Sequence, residues 1–224
     1  MIYAMSDLHG CYDKYIKMLE KIKLNDGDTL YILGDIVDRG DGGIKILQDM
    51  MSRKNVVAIK GNHDYMAWLV LKNIDDIENN ERLSEMFRLW LFDGGMPTYE
   101  TFVALSADEQ KSILSYINSF LIYDEVNAGG NRFFLSHTVP EKERMLQFEK
   151  LLWQEFIVGE PEYDKQYFDD KYIVTGHTPT GFIDQNFTGK IYKANNHIAI
   201  DCGAVFEKLL GCICLDTLEE FYVE

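Results

Sequence analysis

The sequence predicts an α/β fold, and two observations carry that prediction. Short β-branched and aromatic runs of strand length recur along the 224 residues, and helical periodicity separates the first three of them. The runs lie at residues 2 to 5, 29 to 33, 56 to 60, 133 to 136, 172 to 175, 198 to 201 and 211 to 215. Tyr12, Tyr15, Ile16, Leu19 and Ile22 fall on one helical face, and a second helical stretch runs from Ile44 to Met51, so the chain opens β-α-β-α-β. Residues 63 to 120 read as a mostly helical insertion, in which Ser106 and Glu109 form a capping box for the run to Phe120. Strands return from Phe133. At the close, Cys212 and Cys214 alternate with Ile213 and Leu215, the pattern of a half-buried meander. Neither a repeat nor a Pro- or Gly-rich linker interrupts residues 1 to 224, which predicts a single domain.

Composition narrows the partners. Lys and Arg number 22 against 37 Asp and Glu, a net charge of -15 that repels a phosphate backbone and excludes nonspecific nucleic-acid binding, except where bound cations invert the local field. No stretch approaches the ~18 apolar residues of a membrane span. Cys11, Cys202, Cys212 and Cys214 are too few and too scattered for a disulfide framework, and Met1 to Asp7 shows no leader pattern, so the expected compartment is the cytoplasm. Nothing in the sequence sets an oligomeric state.

The chemistry stands where strands end. Ser6-Asp7-Leu8-His9-Gly10 follows the first strand, Gly34-Asp35-Ile36-Val37-Asp38-Arg39-Gly40 the second, and Gly61-Asn62-His63-Asp64 the third. Two later strands end in Ser136-His137 and Gly176-His177-Thr178. Open α/β sheets bind ligands at the carboxyl ends of their strands, so these loops are expected to meet. Four of the five histidines sit in them. Mixed Asp, His and Asn donors suit Mn, Fe or Zn better than Mg or Ca, and the donors outnumber what one tetrahedral ion needs. Two ions sharing a carboxylate would use them all, an arrangement suited to in-line attack on phosphorus.

In these motifs the chain resembles the calcineurin-type metal-dependent phosphoesterases, and within them the phosphoprotein phosphatase branch. Asp93-Gly94-Gly95-Met96-Pro97-Thr98, Ile200-Asp201-Cys202-Gly203-Ala204-Val205 and Leu215-Asp216-Thr217 extend the likeness over nearly the whole chain. The resemblance implies a four-layer αββα sandwich of two mixed sheets. It implies one metal on Asp7, His9 and Asp35 and a second on Asp35, Asn62, His137 and His177, with manganese the expected ion. It further implies that a hydroxide between the ions attacks phosphorus, that His63 oriented by Asp38 protonates the leaving group, and that Arg39 grips the phosphate oxygens. Gly10, Gly34, Gly40 and Gly61 are expected to permit the turns that aim these groups at one point.

The chain departs from the pattern of the phosphatases in four places: Asp41 replaces a proline, Thr138-Val139 replace Ala-Gly, Asp64 replaces a glutamate, and Glu155 stands where related bacterial enzymes carry a second phosphate-holding arginine after Trp153. Asp64 is similar instead to the symmetrical diadenosine tetraphosphate hydrolases, whereas Asp38 is similar to the protein phosphatases. Glu155 is expected to turn away, or to be replaced in its role by Arg144, or to signal a substrate other than a simple monoester. Cys11, Cys212, Cys214 and His197 are expected to be structural, and the aromatic segment Tyr163 to Tyr172 to cover a sheet or a groove rim. The expected function is hydrolysis of phosphoserine or phosphothreonine in proteins. A small phosphoester such as the dinucleotide is the alternative substrate, and a catalytically weak phospho-ligand binding module the alternative of another class.

Overall fold

The computed structural model describes residues 1–224 and contains ten strands. These are β1 (Ile2–Met5), β2 (Thr29–Leu33), β3 (Val56–Ile59), β4 (Tyr123–Ala128), β5 (Asn131–Ser136), β6 (Tyr172–Thr175), β7 (Tyr192–Ala194), β8 (His197–Ala199), β9 (Leu210–Cys214) and β10 (Glu220–Val223). They form two mixed five-stranded sheets, ordered β10-β9-β1-β2-β3 and β4-β5-β6-β8-β7. In the first, β1, β2 and β3 are parallel while β9 and β10 run antiparallel. In the second, β5, β6 and β8 are parallel, flanked by antiparallel β4 and β7.

Side-chain alternation along these strands makes the layers. Tyr3, Met5, Leu30, Ile32, Cys212 and Cys214 point to one core, shared with the helices α1 (Tyr12–Ile22), α2 (Gly43–Ser52), α3 (Asn62–Leu71), α4 (Glu81–Trp90), α5 (Met96–Val103) and α6 (Ala107–Asn118). Ala4, Tyr31, Leu33, Ile213 and Leu215 point the other way and meet Phe133, Leu135, Val174 and Ile198 of the second sheet. Phe134 and Ile173 face outward onto Val139, Met145, Phe156 and Tyr167. This outer layer is thin, built of loops and the one-turn helices α7 (Lys142–Met145) and α8 (Glu155–Val158), with α9 (Thr180–Ile183) following β6. The four-layer architecture is therefore present, with its second helical flank reduced to single turns.

Two expectations change. The strand carrying Cys212 and Cys214 is not half-buried: all five residues of β9 are buried, because it lies between β10 and β1 with a core on each face. Three strands had no sequence signal, β4, β7 and β10, and all three are edges. An edge strand is paired on one side and wetted on the other, so a run such as Tyr-Asp-Glu-Val-Asn-Ala in β4 need not look apolar. The helical stretch from Asn62 to Asn118 and the Ser106–Glu109 capping box are as expected. Tyr163 and Tyr167 pack on His197, and Phe168 packs on Phe134, so the aromatic segment covers the second sheet.

Candidate metal and phosphate site

Because β1, β2, β3, β5 and β6 run parallel within their sheets, their carboxyl ends open at one edge, and backbone hydrogen bonds stitch the loops that follow. Asp7 N–H donates to Gly34 O, His9 N–H to Asp35 O, and Gly176 N–H to His137 O. Gly34, at φ 86, lies where a Cβ would come within 2.6 Å of His137 Nδ1. Gly61 needs closeness rather than handedness, since a Cβ there would collide with Asp35 Oδ1.

Asp35 is the centre of the constellation. Its Oδ2 lies 3.7 Å from His9 Nε2 and 3.5 Å from His137 Nε2, while Oδ1 accepts the His63 backbone N–H at 3.0 Å. One carboxylate oxygen therefore lies close to the imidazoles of two different loops. Two groups of donors converge through it, His9 with Asp35 and His63, and Asp35 with His137 and His177. Asn62 joins the second group, its Oδ1 3.0 Å from His137 Nε2, which in turn lies 3.1 Å from His177 Nδ1.

The imidazoles are pre-oriented. His137 Nδ1 donates to Leu33 O at 2.7 Å and His9 Nδ1 to Val37 O at 3.1 Å, which leaves each Nε2 lone pair aimed at the centre, as a metal-ligating histidine requires. Burial lowers His9 to about 3, and burial with the neighbouring His137 lowers His177 to about 4, so both are neutral donors. Against the upward push of burial, the four surrounding imidazoles hold Asp35 below the usual carboxylate range. Asp7 does not join either convergent group. Its carboxylate accepts the His177 backbone N–H at 3.0 and 3.2 Å, and burial together with the Asp201 and Asp35 charges raises it well above the usual range. Buried carboxylates crowded beside the neutral imidazoles of His9 and His177 form a donor set suited to divalent cations.

On the other side of the centre, His63 Nδ1 lies 2.9 Å from Asp38 Oδ2, and both residues are buried. Burial opposes the imidazolium, but the Asp38 hydrogen bond and the Asp35 charge outweigh it and raise His63 above its ordinary value. Trp90 Nε1 donates to the same Asp38 oxygen at 2.8 Å. Arg39 donates to His9 Nε2 at 2.7 Å and to His63 Nε2 at 3.1 Å, and its guanidinium lies 5.5 Å from the Phe206 ring centre. His9, Arg39, His63 and Phe206, with Asp93, Phe182 and Asp201, line a cavity of about 230 Å3, and Asp38 and Trp90 lie behind His63.

Glu155 and Arg144 are not among its lining residues. They hold each other in a forked pair, Nε to Oε1 at 3.0 Å and Nη2 to Oε2 at 2.9 Å, so Glu155 is turned away and Arg144 is occupied. Sequence reasoning missed Trp90, Asp93 and the rim aromatics. It also missed the task of Asp64, whose buried carboxylate accepts the backbone N–H groups of Asp35 at 2.9 Å, Ile36 at 3.0 Å and Gly61 at 3.0 Å. Asp64 thus ties the second loop to the third. Of these, the motif Asp93-Gly94-Gly95 was the one visible signal.

The family model described as Calcineurin-like phosphoesterase matches residues 1–203. A curated relative, the symmetrical bis(5'-nucleosyl)-tetraphosphatase of Salmonella typhimurium (strain LT2), is 32% identical over 114 residues, which span 50% of this chain and 40% of the relative. Among solved structures, a protein named as a candidate diadenosine tetraphosphatase superposes with TM-score 0.70 at 15% identity, covering 99% of this chain and 92% of that one. A Saccharomyces cerevisiae protein serine/threonine phosphatase with similarity to human PP5 gives TM-score 0.61 at 12% identity, covering 94% and 71%. At these identities the two superpositions speak for the fold alone.

Proposed function

The chain belongs to the calcineurin-like phosphoesterase family, and from that premise we propose that it is a metal-dependent hydrolase of phosphomonoesters, acting on phosphoserine and phosphothreonine of proteins. One observation carries the choice of leaving group: the buried His63–Asp38 pair, 2.9 Å apart, whose Nε2 opens on the cavity beside Arg39. An alkoxide departs slowly unless a proton reaches it, so a positioned general acid matters most for an alkyl phosphoester. The leaving group of a phosphoanhydride needs no such help.

In this reading Asp7, His9 and Asp35 hold one divalent ion and Asp35, Asn62, His137 and His177 the other, with manganese preferred over iron or zinc. Such a pair, when bound, supplies Lewis acidity at the phosphoryl oxygens and an acidified water. The chain's own residues do the rest. Asp35 spaces the two halves of the site. Arg39 leaves His9 Nε2 when that nitrogen serves as a ligand and turns its fork to the phosphate. His63, held in one orientation by Asp38, delivers a proton from Nε2 to the departing oxygen. Residues 1–224 are taken as one phosphoesterase domain working in the cytoplasm.

A second substrate class, small nucleoside polyphosphates, is favoured by Asp64 and by the 32% identity to the tetraphosphatase. A binding module in which Glu155 suppresses turnover finds no support here, because Glu155 is paired with Arg144 outside the cavity. The deciding experiment compares turnover of a phosphoserine peptide and of diadenosine tetraphosphate by manganese-loaded protein, wild type and His63→Asn. The peptide is expected to be preferred and to lose ~100-fold or more in kcat in the variant. Preference for the dinucleotide, or a peptide rate untouched by His63→Asn, refutes the assignment.

A further inference from the structure

A carboxylate stands in the cavity where a phosphate has to sit. Asp93 belongs to the kinked turn Leu91–Gly95 between α4 and α5, and its side chain is half exposed. Its Oδ1 lies 3.8 Å from Arg39 Nη2 and its Oδ2 3.7 Å from His63 Nε2. These are the two groups that the proposed reaction assigns to the phosphate, one to its outer oxygens and one to its departing oxygen.

The placement is enforced from both sides. Gly94 O accepts the Arg39 backbone N–H at 2.7 Å, and Gly94 has φ 103, a conformation suited to glycine. A Cβ at Gly94 would come within 2.7 Å of Arg39 Cγ, and one at Gly95 would collide with the Trp90 ring. Trp90 is itself anchored to Asp38 by its indole N–H. The turn is thus pinned to the arginine and to the general-acid pair, and Asp93 projects between the pins.

We propose that Asp93 is a specificity-determining residue: a resident anion that occupies Arg39 and His63 in the empty site and competes with the phosphate dianion for them. It weakens binding of substrate and of product phosphate alike, which raises KM and speeds product release without contributing to the chemical step. The effect scales with ligand charge, so a singly charged phosphodiester feels about half of it. This inference rests on the phosphoesterase reading of the same cavity.

The test is calorimetric titration of manganese-loaded wild type and Asp93→Asn with inorganic phosphate at about pH 8, where the phosphate is mainly dianionic. Dimethyl phosphate is the singly charged comparison. For one unit charge at a half-exposed position, screened by water, Asp93→Asn is expected to tighten phosphate binding about 3- to 10-fold and dimethyl phosphate binding about 2- to 3-fold. In turnover, KM for a phosphomonoester falls by the phosphate factor while kcat stays level or drops. Asp93→Ala gives the same pattern and guards against a folding artefact of either variant. Phosphate affinity that is unchanged or weakened in both variants overturns the proposal for Asp93 while leaving the phosphoesterase reading intact. Failure of phosphate to bind wild type or variant overturns both.

Discussion

Replacing Asp64 tests whether the site is held together by the contacts described above. Asp64→Ala deletes the acceptor for three buried N–H groups, those of Asp35, Ile36 and Gly61. At ~1–2 kcal/mol per unsatisfied buried donor, the loss is roughly 3–6 kcal/mol. Some of this is offset, because burial and the neighbouring Asp35 charge raise the Asp64 carboxyl to about 7, against the pull of its three N–H donors, and removing it relieves that strain. A net loss of about 2–4 kcal/mol remains, a large part of the ~5–15 kcal/mol that stabilises a domain. Asp64→Asn is gentler. Its amide oxygen can take the place of Oδ2 and keep the Asp35 and Gly61 donors, while its NH2 faces the Ile36 N–H, so the variant should fall between wild type and alanine. Urea denaturation of metal-stripped protein measures this order. Since Asp64 holds the backbone of Asp35 and of the Asn62 loop, manganese affinity should also fall ~10- to 100-fold, as for other residues that orient ligands. An alanine variant within about 1 kcal/mol of wild type, or an asparagine variant less stable than alanine, would refute the role assigned to this carboxylate.

Three further outcomes are expected. Asp35→Asn should lose both activity and bound metal, with retained metal in elemental analysis counting against the shared carboxylate. His197, 1% exposed with Nε2 2.8 Å from Thr175 Oγ1, is lowered by burial to about 3, below its unfolded value. The unfolded chain therefore binds the extra proton between about pH 6.5 and 3, and the stability contributed by the neutral imidazole is complete above pH 6.5 and lost as pH falls. His197→Gln should flatten the acid slope of stability by up to ~1.4 kcal/mol per pH unit in that window, and an unchanged slope in pH-dependent urea melts would contradict it. His9 and His177 add to the same slope, so only the difference between variants is diagnostic. Lys23 ends α1 at φ 51, where glycine has no steric penalty, so Lys23→Gly should stabilise by about 1 kcal/mol with turnover unchanged, checked by thermal melting and by kinetics.

The parts of this molecule that were legible in its sequence are those whose signal is local. The central strands β1, β2, β6 and β9 are apolar because both faces are covered, and the Ser106–Glu109 box is a contact between residues three apart. The donors of the candidate site were legible because Asp, His and Asn after a strand have few other uses in such numbers. What stayed hidden depends on distant partners. Trp90 looks like one more core aromatic until its indole N–H meets Asp38, 52 residues away. Asp64 looks like a helix-start carboxylate, which it is, and only the fold brings Asp35 and Ile36 to its other lone pairs. Glu155 could not be placed without Arg144, whose partner choice is a matter of loop shape.

Backbone conformation was the least legible feature, and it explains why those hidden contacts exist. Asp7, His9, Asp35, Asp38, Arg39 and His177 all have positive φ, from 39 to 73 degrees, six of the eleven non-glycine residues that do. Each such residue costs roughly 1–3 kcal/mol and persists only where its surroundings over-determine it. Glycine would relieve the strain at every one of these positions, yet glycine carries no ligand, base or clamp. The chain therefore uses chemically competent side chains in conformations they resist, and holds them there with Asp64 on the Asp35 amide, Gly94 O on the Arg39 amide, Thr98 Oγ1 on the Asp38 amide and Asp7 on the His177 amide. In each case the clasp grips the backbone of a residue whose side chain faces the centre or, for Asp38, orients His63. Strain concentrated on the side chains that face the centre, with a dedicated contact restraining it, is what separates this edge from the rest of the structure. It is also why the site should soften, by loss of a clasp, well before the two sheets come apart.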